Sequence, residues 1–427
     1  MTDLSSATVF ENVPSPFSGI ASDDLKIAVD GLAVKVLEGG TAVTIPALEL
    51  PVTDMSPRIA GQPATLEEAV RKAAEILKDK RMPVFSGFGT DVNDTRSAIS
   101  LIDRTRGVFD QMRAEGGLRN LKVLQNSGWV ATTLGELKNR VEVLVIVASD
   151  LESAFPRFFE RFIWNAETLF GQDTSTREVI CLGTPQTSPA AIAPSGREPK
   201  VIPFAAQDLP QVAAALAALA RNAPLQVETV AGVPVSELRW LLDRLKQSGY
   251  SVVSWAAGQI NFPHAELALQ QISTTVTLLN AETRAAILPL GGQEGDRTAS
   301  QVCAWLTGYP TRVGFARGYP EHDPYHWSLE RLAASGEADA LVWVASLTVA
   351  APPVTGLPTI VIGRSGMTFE KEPDVFFPVG TPGIDHAGHL YRCDNVVAMP
   401  LYKLRESGLP KGAEILAHIE RQLANGA

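Results

Sequence analysis

Apolar and polar positions first recur with the short period of strands. Leu25-Lys-Ile-Ala-Val29 and Leu32-Ala-Val-Lys-Val36 flank Asp30-Gly31. Asp-Gly tolerates the positive φ angles of a tight turn, so a hairpin is expected about this dipeptide. It defines a small N-terminal β module. A Pro-rich passage from Ile45 to Pro63 links it onward.

The rhythm then becomes that of an α/β protein. Thr65 has the chemistry of an N-cap for a helix through Leu77, with Glu67 and Glu68 in its first turn. Met82-Pro-Val-Phe-Ser86 reads as a strand, followed by Gly87-Phe-Gly89 and a helix near Thr95–Arg106. Short Val- and Ile-rich runs predict buried strands at Val143–Val147, Val179–Leu182, Ser251–Ser254, Ala340–Val344, Thr359–Ile362 and Val375–Val379. Helical segments such as Leu209–Ala220 and Val235–Lys246 separate them. Continuous apolar strands of this kind suit parallel sheets covered on both faces.

One pattern repeats. Glu142-Val-Leu-Val-Ile-Val-Ala-Ser149 matches Asp339-Ala-Leu-Val-Trp-Val-Ala-Ser346. Each is followed by a Pro-containing loop and a second strand ending in glycine, at Gly183 and Gly363. Buried strands resemble one another by composition alone. The other reading is two related doubly wound sheets, each with a crevice at the carboxyl ends of its strands.

Composition narrows the class. The 427 residues suffice for two or three domains, and 45% hydrophobic with 20% charged residues is ordinary for a globular protein. A net charge of −10 argues against a general nucleic-acid or membrane-surface role. There is no secretory pattern and no apolar run long enough to span a bilayer. Cys181, Cys303 and Cys393 are far apart, which suits a reducing cytoplasm and use as small buried apolar residues.

Candidate chemistry is sparse. Gly87-x-Gly89 lies between a strand and a helix, but position 92 is Val where a dinucleotide fingerprint needs glycine, so a plain βα turn is the preferred reading. Asp385-His-Ala-Gly-His389 and the pair His322 and His326 offer metal-ligand types without a third or fourth ligand nearby; Glu294 or Asp296 would have to be recruited by folding. Loop histidines satisfied by hydrogen bonds are the preferred reading. No G-x-S-x-G elbow, Walker loop or paired acid–base carboxylates occur.

The remaining signal is Val13-Pro-Ser-Pro-Phe-Ser-Gly-Ile-Ala-Ser-Asp-Asp24. Ser15, Ser18 and Ser22 have the S-x-x-S-x-x-x-S spacing of an iron–sulfur loop with every cysteine replaced. With Thr133-Leu-Gly-Glu-Leu-Lys-Asn-Arg140, Phe155-Pro-Arg157 and Thr381-Pro-Gly-Ile-Asp-His-Ala-Gly-His-Leu-Tyr-Arg-Cys-Asp-Asn395, it makes the chain resemble the B-type component of formylmethanofuran dehydrogenase. That component is a member of the molybdopterin oxidoreductase superfamily, which includes formate dehydrogenases. The resemblance runs from about Val13 to the C-terminal helix.

This resemblance implies an α/β fold of two related doubly wound parallel-sheet domains plus the N-terminal β module. Residues 1–62 would be the former iron–sulfur domain. Residues 63–113 and 294–427 would form a discontinuous domain with 114–293 inserted, and Met82–Ser86 would join the sheet of Ala340–Val344. A tungsten or molybdenum pterin would lie between the domains and a four-iron cluster in the serine loop.

The departures decide what remains of that chemistry. Serine hydroxyls are poor substitutes for the soft thiolates of a cluster. No cysteine lies near Gly40–Thr44, where the fourth ligand would fall. The Cys-His that holds the pterin metal is absent from Phe109-Asp-Gln-Met-Arg-Ala-Glu-Gly-Gly-Leu118. The family's G-x-N-P has become Ala148-Ser-Asp-Leu151, and the acidic residue expected to grip the nucleotide is Gly183.

The resemblance therefore implies loss of the pterin metal and the cluster. It points to the related formyltransferase/hydrolase complex of methylotrophic bacteria, in which the B-type subunit is structural. Its partners there are an amidohydrolase-like A subunit, a C subunit and a formyltransferase D subunit. Together they move a formyl group from tetrahydromethanopterin to a furan carrier and release formate. Two alternatives stand beside this reading. One is a working dehydrogenase with altered ligands. The other is a carrier-binding role for the old pterin cavity, with Arg113, Arg119 and Lys122 as candidates for an oligoglutamate tail and solvated surface charge as their plainer explanation.

Overall fold

The computed structural model describes residues 7–20 and 22–425. Residues 1–6 and 426–427, assigned above to the first and last domains, and Ala21 of the serine loop lie outside the described residues. Strands β1 (Thr8–Val13), β2 (Leu25–Asp30) and β3 (Ala33–Glu38) form an antiparallel sheet in that order. The β2–β3 turn is Gly31-Leu32, one residue later than expected, because Asp30 stays in the ladder opposite Ala33. Gly31, at φ +57°, fills the first central position, which admits glycine most readily.

The helix Leu66–Lys78 starts where the cap chemistry placed it. Thr65 Oγ1 accepts the N–H of Glu68, and the Glu68 carboxylate accepts the N–H of Thr65. Strand β4 (Pro83–Gly87) follows, then the helix Val92–Thr105 and β5 (Val108–Phe109).

The chain divides into two compact units, one of residues up to Ala114 and from Gly292, the other Glu115–Gly291. The second unit contains β6 (Val143–Val147), β7 (Glu178–Leu182), β8 (Lys200–Ile202), β9 (Ser251–Ala256) and β10 (Ala285–Leu290). They lie side by side as β8-β7-β6-β9-β10, parallel throughout. Returning to the first unit, the chain adds β11 (Ala340–Ala345), β12 (Thr359–Arg364) and β13 (Val375–Val379). The parallel run there is β5-β4-β11-β12-β13. The Met82–Ser86 run thus pairs with Ala340–Val344 and not with Val143–Val147. Parallel neighbours need a long crossover, and the connection from β5 to β11 contains the whole second unit.

The Pro-rich passage is not a plain linker. Thr44–Leu48 is a short helix, and Arg58–Ile59 adds antiparallel to β13. This short strand covers what would otherwise be an open sheet edge.

The internal repeat has a topological meaning. Its first copies are β6 and β11, and its second copies, β7 and β12, lie on the same side of them. Extending the match pairs β8 with β13, β9 with β4 and β10 with β5. The two sheets then have one spatial order. In chain order, the parallel run of the first unit begins with the counterparts of the two strands that come last in the second. Every residue of β6 and of β11 is buried, which is why their apolar runs are continuous.

Candidate functional site

The serine loop is closed on itself. Ser15, Ser18 and Ser22 are all buried. Ser15 N–H donates to Ser22 O at 2.7 Å, Phe17 N–H to Ser15 Oγ at 3.2 Å and Ser22 N–H to Ser18 Oγ at 3.4 Å. These are local side chain–backbone bonds of the kind short polar residues make. Phe17 is buried with the Arg364 guanidinium 5.3 Å from its ring centroid, and Gly19 O accepts the N–H of Cys393 at 2.8 Å. Where a fourth ligand would fall, Thr41 and Thr44 bond each other's backbone N–H groups. The Ser15 and Ser18 hydroxyls are engaged with the backbone and the buried Ser22 Oγ has no hydrogen-bond partner among the described residues; none of the three is the thiolate that the irons of a four-iron cluster need.

The segment at the family's metal position is equally committed. Asp110 accepts the N–H of Leu329 at 2.9 Å and of Gln111 at 2.9 Å, and faces Arg312. Burial pushes its carboxyl up, and the Arg312 guanidinium pulls it back down. Gln111 donates to Ser300 Oγ at 2.9 Å. Neither side chain can supply the soft donor a pterin metal takes.

In the second unit, the strand order reverses between β6 and β9, the place where open α/β sheets bind ligands. Here the groups that could meet a nucleotide meet the chain itself. The N–H of Asp150 donates to Gln259 Oε1 at 2.7 Å, and that of Leu151 to Gln186 Oε1 at 2.8 Å. Gln186 Nε2 returns a bond to Ser149 O, and Ser149 Oγ accepts the N–H of Ala256 at the end of β9. The amide oxygens of two glutamines thus occupy the donors that a phosphate oxygen would take. Ala148 has a left-handed backbone, φ +44°. That conformation costs an L-residue about 1 kcal/mol.

Gly183, the position the resemblance assigns to nucleotide binding, is crowded. Its φ is +99°, and a Cβ there would stand 3.1 Å from Phe204 Cζ. An acidic side chain cannot enter without moving the ring. Gly183→Asp is expected to destabilise the second unit by about 2 kcal/mol, from backbone strain and overpacking, without creating nucleotide affinity. An unchanged urea midpoint, or nucleotide binding gained by the variant, would contradict this.

The corresponding crevice of the first unit lies between β4 and β11. Gly87-Phe88-Gly89 is a turn whose Phe88 points into the core against Phe109, with ring centroids 4.3 Å apart. Gly89 O accepts the N–H of Leu347. The following helix is capped by Asp91, which accepts the N–H of Asp94 at 3.0 Å. Asp94 accepts from Ser346 Oγ at 2.8 Å, Thr90 Oγ1 at 2.5 Å and the N–H of Ala413 at 2.7 Å. Ser149 and Ser346, the last residues of the two repeat copies, are therefore both spent on bonds within the fold.

Two buried carboxylates three residues apart were not singled out from the sequence. The signal was Asp91-x-x-Asp94 directly after Gly-x-Gly, a place where an anion repels a phosphate. Burial first, then the Asp94 charge, pushes the Asp91 carboxyl up to about 7. Among the described residues, Asp91 Oδ2 makes no well-aligned hydrogen bond.

The histidines do not assemble a metal site. His386 is buried with Nε2 3.2 Å from Gly380 O and Nδ1 3.0 Å from Ala387 O. His389 is exposed. His322 Nδ1 lies 2.8 Å from Thr311 O, and His326 packs edge-on against Trp327. Glu294 faces Arg113 at 3.1 Å, and burial pushes Asp296 up to about 6. Among the described residues, no group of three or more His, Cys, Asp or Glu is placed to hold a metal ion. The three carrier-tail candidates are individually engaged. Arg113 pairs with Glu294, Arg119 donates to Asn261 Oδ1 at 2.8 Å, and Lys122 pairs with Glu266 at 3.4 Å. Among the described residues, no helix is long and apolar enough to cross a membrane.

The chain, a mixed α/β protein with parallel sheet regions, is similar to one class of protein, the B-type subunits of formylmethanofuran dehydrogenases. Comparison places the chain beside it. It is 25% identical over 410 residues to the B-type subunit of tungsten-containing formylmethanofuran dehydrogenase 2 from Methanocaldococcus jannaschii, covering 91% of this chain and 92% of that one. The Methanococcus maripaludis protein of the same name is 24% identical over 405 residues, 91% of this chain and 92% of the relative. No family model matches.

The chain is also a homologue of the B-type subunit of the formyltransferase/hydrolase complex Fhc from Methylorubrum extorquens. The two are 28% identical over 340 residues, 79% of this chain and 88% of the relative. The fold is similar to a chain in the crystal structure of the M. extorquens FhcABCD complex with methylofuran. The TM-score is 0.74 at 26% identity, covering 87% of this chain and 99% of that one.

Proposed function

We propose that this chain is a non-catalytic, structural B-type subunit of a cytoplasmic formyltransferase/hydrolase complex. In this role it assembles with amidohydrolase-like A, C and formyltransferase D subunits, which transfer a formyl group from tetrahydromethanopterin to a furan carrier and release formate. The chain itself holds neither the tungsten or molybdenum pterin nor the four-iron cluster of the dehydrogenases. Both units are doubly wound domains of one origin, residues 114–293 being inserted between 63–113 and 294–427. The shared strand order and the unit limits at Ala114 and Gly292 support that division.

The observation that carries the reading is that the chain's own groups take up most of the former binding positions. Ser15 and Ser18 bond the loop backbone, Asp110 and Gln111 bond protein partners, and Gln186, Gln259 and Phe204 occupy the nucleotide crevice. A mere exchange of ligands would leave those positions open. The engaged state of Arg113, Arg119 and Lys122 gives no support to a carrier-tail site built on them.

Elemental analysis of the purified complex tests this. Tungsten, molybdenum and cluster iron assignable to this subunit are expected far below stoichiometric. One equivalent of tungsten or molybdenum together with iron would overturn the proposal in favour of an active dehydrogenase.

A further inference from the structure

His386 sits at the end of a loop that closes on itself. Gly380 follows β13, and the chain then turns through two bonds: Thr381 N–H to Asp385 Oδ2 at 2.7 Å and Gly383 N–H to His386 O at 2.8 Å. The buried His386 ring spans this loop, with Nε2 3.2 Å from Gly380 O and Nδ1 3.0 Å from Ala387 O. A carbonyl oxygen only accepts hydrogen bonds, and a neutral imidazole has a single N–H. Both contacts are therefore hydrogen bonds only when the ring is an imidazolium.

The residue that follows the loop is Gly388, where a Cβ would stand 2.6 Å from Asp91 Oδ2. The strand Gly388–Tyr391 thus starts directly against the carboxyl that caps the helix Val92–Thr105. At its end, Tyr391 N–H donates to Thr298 Oγ1 at 2.8 Å, and Cys393 N–H donates to Gly19 O of the serine loop at 2.8 Å. Loop, helix N-terminus and serine loop are joined through this strand.

Charge balance singles out the same ring. Among the described residues, the buried charged groups around Asp91 and His386 are Asp94 on the helix, Asp385 in the loop, Arg405 paired with Asp385 at 2.7 Å, and Arg364 at the end of β12. Glu294, which also acts on Arg364, pairs with Arg113, and His389 is exposed. Asp91, Asp94 and Asp385 thus face two guanidiniums. Burial, then the Asp94 charge, holds the Asp91 carboxyl up to about 7, and the His386 charge pulls it back. Once Asp91 ionises, these groups balance only with a charge on His386.

We propose that His386 is a pH-sensitive latch: its imidazolium closes the loop Gly380–Ala387 and seats the strand Gly388–Tyr391 on Asp91, and loss of the ring proton frees that strand. A neutral ring turns a lone pair toward one of the two carbonyl oxygens and leaves ionised Asp91 without its counter-charge. A proton bound by the closed loop and released on opening makes closure weaken as pH rises. Because the strand leads to the contact with Gly19, opening also loosens the serine loop.

Histidine-selective ¹⁵N NMR of the full-length chain reads the ring directly. His386 is expected to carry hydrogen on both nitrogens at pH 6 and on one at pH 9. Amide hydrogen exchange of residues 388–391, corrected for the intrinsic rate, is expected to quicken about tenfold or more across the same range. Asp91→Asn removes the other titrating group, so in that variant the step should persist and move to lower pH, the counter-charge being gone. Adding His386→Gln, which keeps a donor for Gly380 O and has no proton to lose, should abolish the step. A single N–H on His386 at pH 6 overturns the latch. So does a step that is absent from the unchanged chain, lost in Asp91→Asn, or retained in the double variant.

Discussion

Asp385→Ala is expected to lower the unfolding free energy of the first unit by about 3–5 kcal/mol, the largest single effect in the molecule. Asp385 Oδ1 accepts Arg405 Nε at 2.7 Å, with the two side chains 2% and 3% exposed. Its Oδ2 accepts the N–H of Thr381 at 2.7 Å. Arg405 extends to Leu32 O in the β2–β3 turn, so the pair ties the C-terminal segment to the N-terminal sheet. Arg364 is a second buried guanidinium nearby. Burial pulls it down to about 10, and Asp385 is the foremost charge opposing that shift. Removing Asp385 leaves two desolvated cations facing each other. The double variant Asp385→Leu/Arg405→Met is expected to recover most of the loss, because a hydrophobic pair replaces a buried ion pair at little cost. Urea unfolding of both variants decides it. A single-variant loss under about 1 kcal/mol would show that the pair is not the fastening described.

Asp91→Asn should act in the opposite direction, and only at high pH. The folded chain holds the Asp91 proton up to about pH 7, whereas the unfolded chain releases it near pH 4. The folded state therefore binds more protons between these values, and stability declines as pH rises through that window. Asp94 repels the Asp91 charge, while His386 and the N–H groups of Asp94 and His389 partly offset the penalty. Asparagine keeps the N-cap oxygen and removes the charge. The variant is expected to gain about 2 kcal/mol at pH 8 and almost nothing at pH 5. Thermal unfolding across pH 5–8 is the measurement, and a gain independent of pH would refute the account.

If the gain is seen, the crevice between β4 and β11 carries a residual electrostatic strain. Asp91 and Asp94 sit where the N-terminus of a helix follows a Gly-x-Gly turn, a place suited to anions. The chain has put its own carboxylates there. In the second unit it has put glutamine amides in the matching place. Both substitutions consume the same kind of donor, and both agree with a fold retained without its cofactor.

Much of the architecture was legible in the pattern of residues. Val143–Val147 and Val375–Val379 have the strand limits their apolar runs predict, and Leu209–Ala220 has its helix limits. Thr65 announced an N-cap with Glu67 and Glu68 in the first turn, and the fold completes it as a capping box through Glu68. The hairpin turn was misplaced by one residue because Asp-Gly and Gly-Leu both satisfy a tight turn, and pairing across the strands decides between them. The helix after β4 begins at Val92, earlier than the apolar periodicity suggested, because Asp91 caps it with a polar first turn. Strand β10 and the helix Ala265–Leu279 went unread, since their apolar runs carry no punctuation that separates helix from strand.

The amino-acid sequence alone determined which donor types these positions carry. No arrangement of Ser15, Ser18, Ser22 and Gly183 yields a thiolate or a carboxylate, because donor type is a property of the residue. It also determined period and face, which depend on neighbours a few positions away. Tertiary structure alone decided which groups meet at these positions. Gln259 reaches Asp150, Ser346 reaches Asp94 and Arg405 reaches Asp385 from distant positions in the chain. Such contacts depend on how sheets and helices pack, which a local pattern does not encode. That packing turns an absence of ligands into a set of positions occupied by the chain itself.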